Sequence, residues 1–137
     1  MKKYVAFLVC LLLLVFSLAL IACENKEAAV IEQYNGTWYC YKEIDAQGET
    51  HDYRTLVGFI DRTIEIYPDK TYINHYYFSG KDIQDYPKVG TYEVDEGCLY
   101  LLGDIVASAG ISNESLIVTT TDGSVLYFQN EPLPEWK

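Results

Sequence analysis

From Gly36 to Gln129 apolar and polar residues alternate with a period of two, and turn-forming stretches interrupt the alternation about every 8–12 residues. A strand repeats its side-chain direction at every second residue, so each run can bury one face. Strands joined by only a few residues must be antiparallel neighbours, because a parallel crossover needs about a dozen residues or more. A meander of about eight such strands leaves no unpaired edge only if it closes on itself. The expected fold class is therefore all-β: a small antiparallel meander closing into an up-and-down barrel of about eight strands, after an N-terminal signal helix.

The expected strands are Thr37–Lys42, Thr63–Tyr67, Thr71–Phe78, Lys88–Val94, Cys98–Leu102, Ile105–Ala109, Ser115–Thr121 and Ser124–Gln129. Pro68-Asp69-Lys70, Asp95-Glu96-Gly97 and Asp122-Gly123 are explicit turns, and Ser112-Asn113-Glu114 is a weaker one. Period two puts Trp38 and Cys40 on one face, Ile64 and Ile66 inside, and pairs Tyr92 and Val94 with Leu101 and Leu99. Leu116, Val118, Leu126 and Phe128 continue that inner face. In Thr71–Phe78 the preferred register turns Tyr72, Asn74, Tyr76 and Phe78 inward, which encloses more aromatic area than Ile73, His75 and Tyr77 would. The stretch Glu43 to Asp61 is the least defined, and its apolar Leu56-Val57-Gly58-Phe59-Ile60 reads as an early strand or as a lid over the barrel mouth.

Ahead of the barrel, Lys2 and Lys3 precede an almost unbroken apolar run from Val5 to Ile21, the layout of a secretory signal. The run ends in Leu20-Ile21-Ala22-Cys23, which resembles the lipobox of bacterial lipoproteins. The resemblance implies cleavage before Cys23, a diacylglyceryl group on its sulfur, and an extracytoplasmic domain anchored to a bacterial membrane in the cell envelope. An uncut membrane helix is the alternative; about 17 apolar residues is the short limit for one, and no basic cluster follows them. The expected organisation is a signal peptide over 1–22, a lipidated cysteine and polar tether over 23–35 with a helical turn packing on the domain, and a β-barrel over 36–137. Fully extended, that tether reaches at most ~35 Å.

The 137 residues less the 22 of the signal leave 115, enough for one domain. All 20 acidic residues but only eight of the ten basic ones lie beyond the signal, a net charge of −12 for that part. Such a field disfavours nucleic acid and anionic lipid headgroups as partners, and suits a soluble surface domain. With Cys10 in the signal and Cys23 lipidated, Cys40 and Cys98 remain. An extracytoplasmic pair reads as a disulfide, but the strand parity turns Cys40 inward and Cys98 outward at a hairpin end, so bridged and free thiols both stay open.

The strands themselves resemble the small bacterial lipoproteins of the lipocalin-like group. Gly36-Thr37-Trp38 matches the Gly-x-Trp that opens the family's first strand, and Thr63 to Tyr72 is similar to its strand, Asp-containing turn and strand. Gly90-Thr91-Tyr92-Glu93-Val94 with Leu99-Tyr100-Leu101, and Ser115-Leu116-Ile117-Val118 through Asp122-Gly123 to Leu126-Tyr127-Phe128, match further segments. Two departures stand out: Gln129 holds the place where the family carries an arginine over the tryptophan, so Trp136 is expected to help close the bottom, and the domain is short. The resemblance implies a small hydrophobic or amphipathic ligand contacting Trp38, Tyr72, Tyr76, Tyr92, Leu101 and Phe128.

Catalytic chemistry finds no motif. His51 and His75 are the only histidines, neither lies in a nucleophile motif, and no Gly-x-Ser-x-Gly occurs. His51-Asp52 reads as a solvated pair and His75 as structural or as polar lining. No metal set or cofactor motif is expected, and the chain is read as a non-enzyme. The rival reading is a filled barrel that acts as an interaction or scaffold protein, binding an envelope or host protein; a hydrolase ranks below both.

Overall fold

The computed structural model describes residues 1–53, 60–78, 81–82 and 86–133. One helix, α1 (Lys2–Tyr34), precedes ten strands: β1 (Gly36–Ile44), β2 (Thr50–Asp52), β3 (Ile60–Ile66), β4 (Thr71–Phe78), β5 (Lys81–Asp82), β6 (Lys88–Asp95), β7 (Cys98–Leu102), β8 (Ala107–Ser112), β9 (Ser115–Thr120) and β10 (Val125–Gln129). The order β10-β9-β8-β7-β6-β4-β3-β1 is closed by pairing of β10 with β1, giving an eight-stranded antiparallel barrel. The short strands β2 and β5 extend β1 and β4 at one end.

The expected meander is present, with β2 and β5 added, β3 starting earlier at Ile60, and local differences in β8 and β1. Ile105 and Val106 lie before β8, which instead runs on through Gly110 to Ser112. Asn113 and Glu114, at φ 49° and 63°, make a two-residue hairpin turn, the twist that suits flanking strands. The register shifts between Cys40 and Lys42, a bulge that returns Glu43 to the inner face opposite Leu126. Of the Leu56–Ile60 segment, residues 56–59 lie outside the described residues, as does Trp136; Ile60 begins β3.

Registers stack the interior in rows. Across β4, β3 and β1, Tyr72, Ile66 and Gly36 form one row and Asn74, Ile64 and Trp38 the next; Tyr76 and Arg62 pair above them. Round the other wall, Glu43, Leu126, Val118, Ala109, Leu99 and Val94 follow one another strand to strand. Tyr72, Tyr92, Leu99, Leu101, Leu116 and Phe128 are all at most 1% exposed. Each such apolar side chain stabilises the fold by about 1.5–3 kcal/mol. Gly90 makes room for the ring of Tyr72: a Cβ there would lie 2.5 Å from Tyr72 Cε1.

The helix is not a free tether at its C-terminal end. It runs unbroken past Cys23, and its last turns cap one end of the barrel, where Ile31 and Tyr34 are buried. The Tyr34 hydroxyl donates to the Gly97 carbonyl at 2.8 Å, and Trp38 Nε1 donates to the Tyr34 carbonyl at 2.8 Å. Lys70, in the β3–β4 turn, pairs with Glu27 of the helix. Leu133 of the tail is also buried. The closure expected from Trp136 thus has described contributions from Ile31, Tyr34 and Leu133, none of which the strand pattern singled out.

Candidate functional site

The barrel interior changes character along its axis. Toward the helix end the rows are apolar and closed; Tyr92, for instance, donates its hydroxyl to the Tyr67 carbonyl at 2.5 Å. Toward the other end, the mouth, polar groups enter the lumen: Cys40, Glu43, Arg62, Asn74 and Tyr76 all follow the inward parity of their strands. A cavity of about 300 Å³ opens there, lined by residues that include Glu43, Arg62, Tyr86, Ile105, Val106 and Leu126. That volume is at the lower end of the ~300–1,000 Å³ of small-molecule sites.

The polar groups differ in how well they are satisfied. Glu43 accepts a hydrogen bond from the Tyr53 hydroxyl at 2.7 Å. Burial, and then this carboxylate, push the Tyr53 hydroxyl well above the ordinary phenol range. Asp104 lies 3.5 Å from Lys88 Nζ, and Asp122 accepts from the Thr120 hydroxyl and the Ser124 amide in its own turn. Arg62 instead sits 5.9 Å from the Tyr76 ring centroid, and Tyr76 packs against Tyr86 at 5.9 Å between rings. Arg62 Nε is buried with no hydrogen-bond partner, and so are both amide atoms of Asn74, which is 1% exposed. Among the described residues no carboxylate comes within ion-pair distance of the Arg62 guanidinium.

Burial pushes the Cys40 thiol up to about 12, against an opposing pull from Arg62. The Tyr76 hydroxyl is raised for the same first reason, with Arg62 again opposing. Cys40 is therefore a neutral, inert wall residue at neutral pH. Cys40 and Cys98 are both free: Cys40 faces the lumen and Cys98 the outer side of β7 at the helix end, as their parities require.

The residues expected to touch a ligand separate into two groups. Tyr76 stands with Arg62 and Tyr86 at the mouth. Trp38, Tyr92 and Phe128 belong to the close-packed interior, as does Leu101, and Tyr72 lies flat over Gly90 with its hydroxyl 3.3 Å from the Ile105 carbonyl. Arg62, Glu43, Tyr53 and Asn74 were not singled out. The signal for Arg62 and Asn74 was present, as polar residues on inward positions of strands whose parity is otherwise apolar. Glu43 was hidden by the bulge.

The histidines lie outside the lumen. His51, on β2, pairs with Asp45 at 2.9 Å rather than as a solvated pair with Asp52. Ligand atoms of Asp45, Glu49 and His51 lie within 4.8 Å of one another, although the acidic residues look dispersed along the sequence. Asp45 also accepts from the backbone amides of Gln47 and Glu49, so its first role is to cap the β1–β2 turn. His75 stacks on Tyr77 at 5.4 Å on the outer wall, with Nε2 3.4 Å from Glu65.

No protein-family model matches the sequence, and no curated protein matches it. One solved structure, described as the NMR structure of the protein from Burkholderia xenovorans, superposes with a TM-score of 0.48 at 12% identity. The likeness covers 76% of this chain and 88% of that one, and says nothing of function at that level.

Proposed function

We propose that this is a membrane-anchored extracytoplasmic lipoprotein, lipidated at Cys23, whose barrel binds a small amphipathic ligand at its mouth. The observation that carries the binding half is the set of unpartnered polar atoms on Arg62 and Asn74, inside a barrel whose other end is filled. An unsatisfied buried polar group costs about 1–3 kcal/mol. A fold closed by side chains alone has no use for such atoms. Arg62 lines the cavity and Asn74 lies deeper in the barrel, and a ligand with a polar head and an apolar body would satisfy the Arg62 edge first.

The anchoring half is supported by the lipobox resemblance and by the apolar N-terminal helix. Tyr34 lies eleven helical steps beyond Cys23, so along a helix they are ~16 Å apart, well short of the extended reach of the same segment. Lipid on Cys23 therefore holds the helix end of the barrel near the bilayer and the mouth away from it. The ligand comes from the surrounding medium. The proposed role is binding without turnover.

Calorimetric titration of the full-length chain in nanodiscs with a panel of amphipathic small molecules tests the binding half. Binding that is weakened by replacing Tyr76 or Arg62 supports it, and no binding across the panel rejects it. Metabolic labelling with an alkyne fatty acid, lost in Cys23→Ala, tests the anchor.

The rival reading, an interaction protein with an envelope or host partner, is favoured by one observation. Val89, Tyr100, Leu102 and Val106 are exposed apolar residues of β6, β7 and the loop before β8, from 42% to 66% exposed. Capture of a defined partner from membranes that persists after Arg62 and Tyr76 are replaced would favour this reading over the first.

A further inference from the structure

We infer that the ligand is a monocarboxylate, an aryl or short alkyl acid whose carboxylate meets the side-on edge of Arg62. The inference rests on the ligand-binding reading above and adds the chemical class of the head group. Three observations lead to it. Arg62 Nε is buried and unpartnered on a side chain that lines the cavity. An arginine recognises a carboxylate through two parallel N–H donors in a fixed fork, and the free Nε is half of the side-on fork. The Tyr76 ring stands 5.9 Å from the guanidinium carbon and leaves Nε without an acceptor.

The acidic residues of the same cavity are already engaged. Glu43 takes the Tyr53 hydroxyl, Asp104 stands by Lys88, and Asp122 caps its own turn. Arg62 is thus the open partner, and the partner it lacks is an acceptor. Three carboxylates around the cavity repel a dianion about twice as strongly as a monoanion, so a single negative charge is the better match to one free arginine edge. The apolar part of the molecule has Ile105, Val106 and Leu126 to pack on, with the Tyr86 ring beside them. A cavity of about 300 Å³ limits it to an aryl or short alkyl body, not a long acyl chain. Asn74, one interior row below Tyr76, holds a free amide donor and acceptor for a head group that reaches deeper.

The test is a matched series in which only the head changes: phenylbutyrate, phenylbutanol and phenylbutylamine. Each is titrated calorimetrically into the full-length chain in phosphatidylcholine nanodiscs, with empty nanodiscs subtracted. The expected result is phenylbutyrate tighter than the alcohol by about tenfold or more, with the amine no better than the alcohol. Arg62→Gln should weaken the acid far more than the alcohol, bringing the two to about the same level. Arg62→Lys, which keeps the charge and loses the fork, should fall between. Near-UV circular dichroism confirms that each variant is folded; if one is not, the wild-type series still decides. Equal binding of acid and alcohol to the wild type, or an equal loss of both in Arg62→Gln, overturns the carboxylate while binding itself stands. Failure of all three to bind overturns the ligand-binding reading and the carboxylate with it.

Discussion

Replacing Asn74 by valine should make the unliganded protein more stable, although the substitution lies in the middle of the barrel. Asn74 is 1% exposed and faces inward in the row of Ile64 and Trp38, with neither amide atom hydrogen-bonded. The desolvated amide costs about 1–3 kcal/mol on mutational scales. Valine removes that cost, brings an apolar side chain to an apolar row and favours a strand. Against this stands a shape mismatch of up to about 1 kcal/mol. The net expectation is a gain of about 1–2 kcal/mol, which for a domain near 100 residues raises Tm by about 4–8 °C. Thermal unfolding of the full-length chain in detergent, followed by far-UV circular dichroism, reads it directly. An unchanged or lowered Tm would refute the reasoning, because it would mean that the amide is already satisfied in the unliganded state. The polar interior would then be ordinary structure and not a site kept at a cost in stability.

The other expectations are narrower. Gly90→Ala drives a Cβ into the ring of Tyr72, whose hydroxyl also lies beside Gly103, so it should cost about 1–3 kcal/mol; chemical denaturation checks this, and the cost should largely vanish in a Tyr72→Ala background. His51 is raised first by its hydrogen bond to Asp45, and Asp45 is lowered first by the same bond. Their pairing is therefore complete between the two pKa values; it is lost as pH rises through that of His51 and as pH falls through that of Asp45. An NMR titration should place His51 above the ordinary histidine value, and Asp45→Asn should bring it back. Mapped alkylation should modify Cys98 in the native protein and Cys40 only after unfolding, since Cys40 is 1% exposed and its thiol is pushed up to about 12; recovery of a disulfide-linked pair would contradict the separation seen here.

Much of the fold was legible because period two and turn chemistry act locally. The pairing of Tyr92 with Leu101 and of Val94 with Leu99 follows from one hairpin and its turn, and the aromatic register of β4 follows from area alone. What escaped was non-local. The bulge after Cys40 becomes visible only when β10 closes on β1, and it is the bulge that turns Glu43 inward. The helical turn expected to pack on the domain is there with Ile31 buried, but the helix's unbroken run from Lys2 and the part Tyr34 plays in the cap depend on the end of the barrel. The expected ligand contacts are spread along the barrel for a related reason. Aromatic residues such as Trp38, Tyr92 and Phe128 were weighted as ligand contacts, but large apolar rings fill a small barrel first. The residues whose buried polar atoms lack partners are Arg62 and Asn74, polar groups at inward positions.

If the barrel binds a ligand, its mouth, and not its helix end, receives it. Methyl and amide NMR spectra of the full-length chain in nanodiscs, recorded while phenylbutyrate is added, test this most directly. The predicted result is saturable shifts at Glu43, Arg62, Tyr86, Val106 and Leu126, with Tyr92, Leu99 and Leu116 unmoved. Shifts confined to the exposed apolar wall of Val89 and Leu102, or no saturable shifts at all, would contradict it.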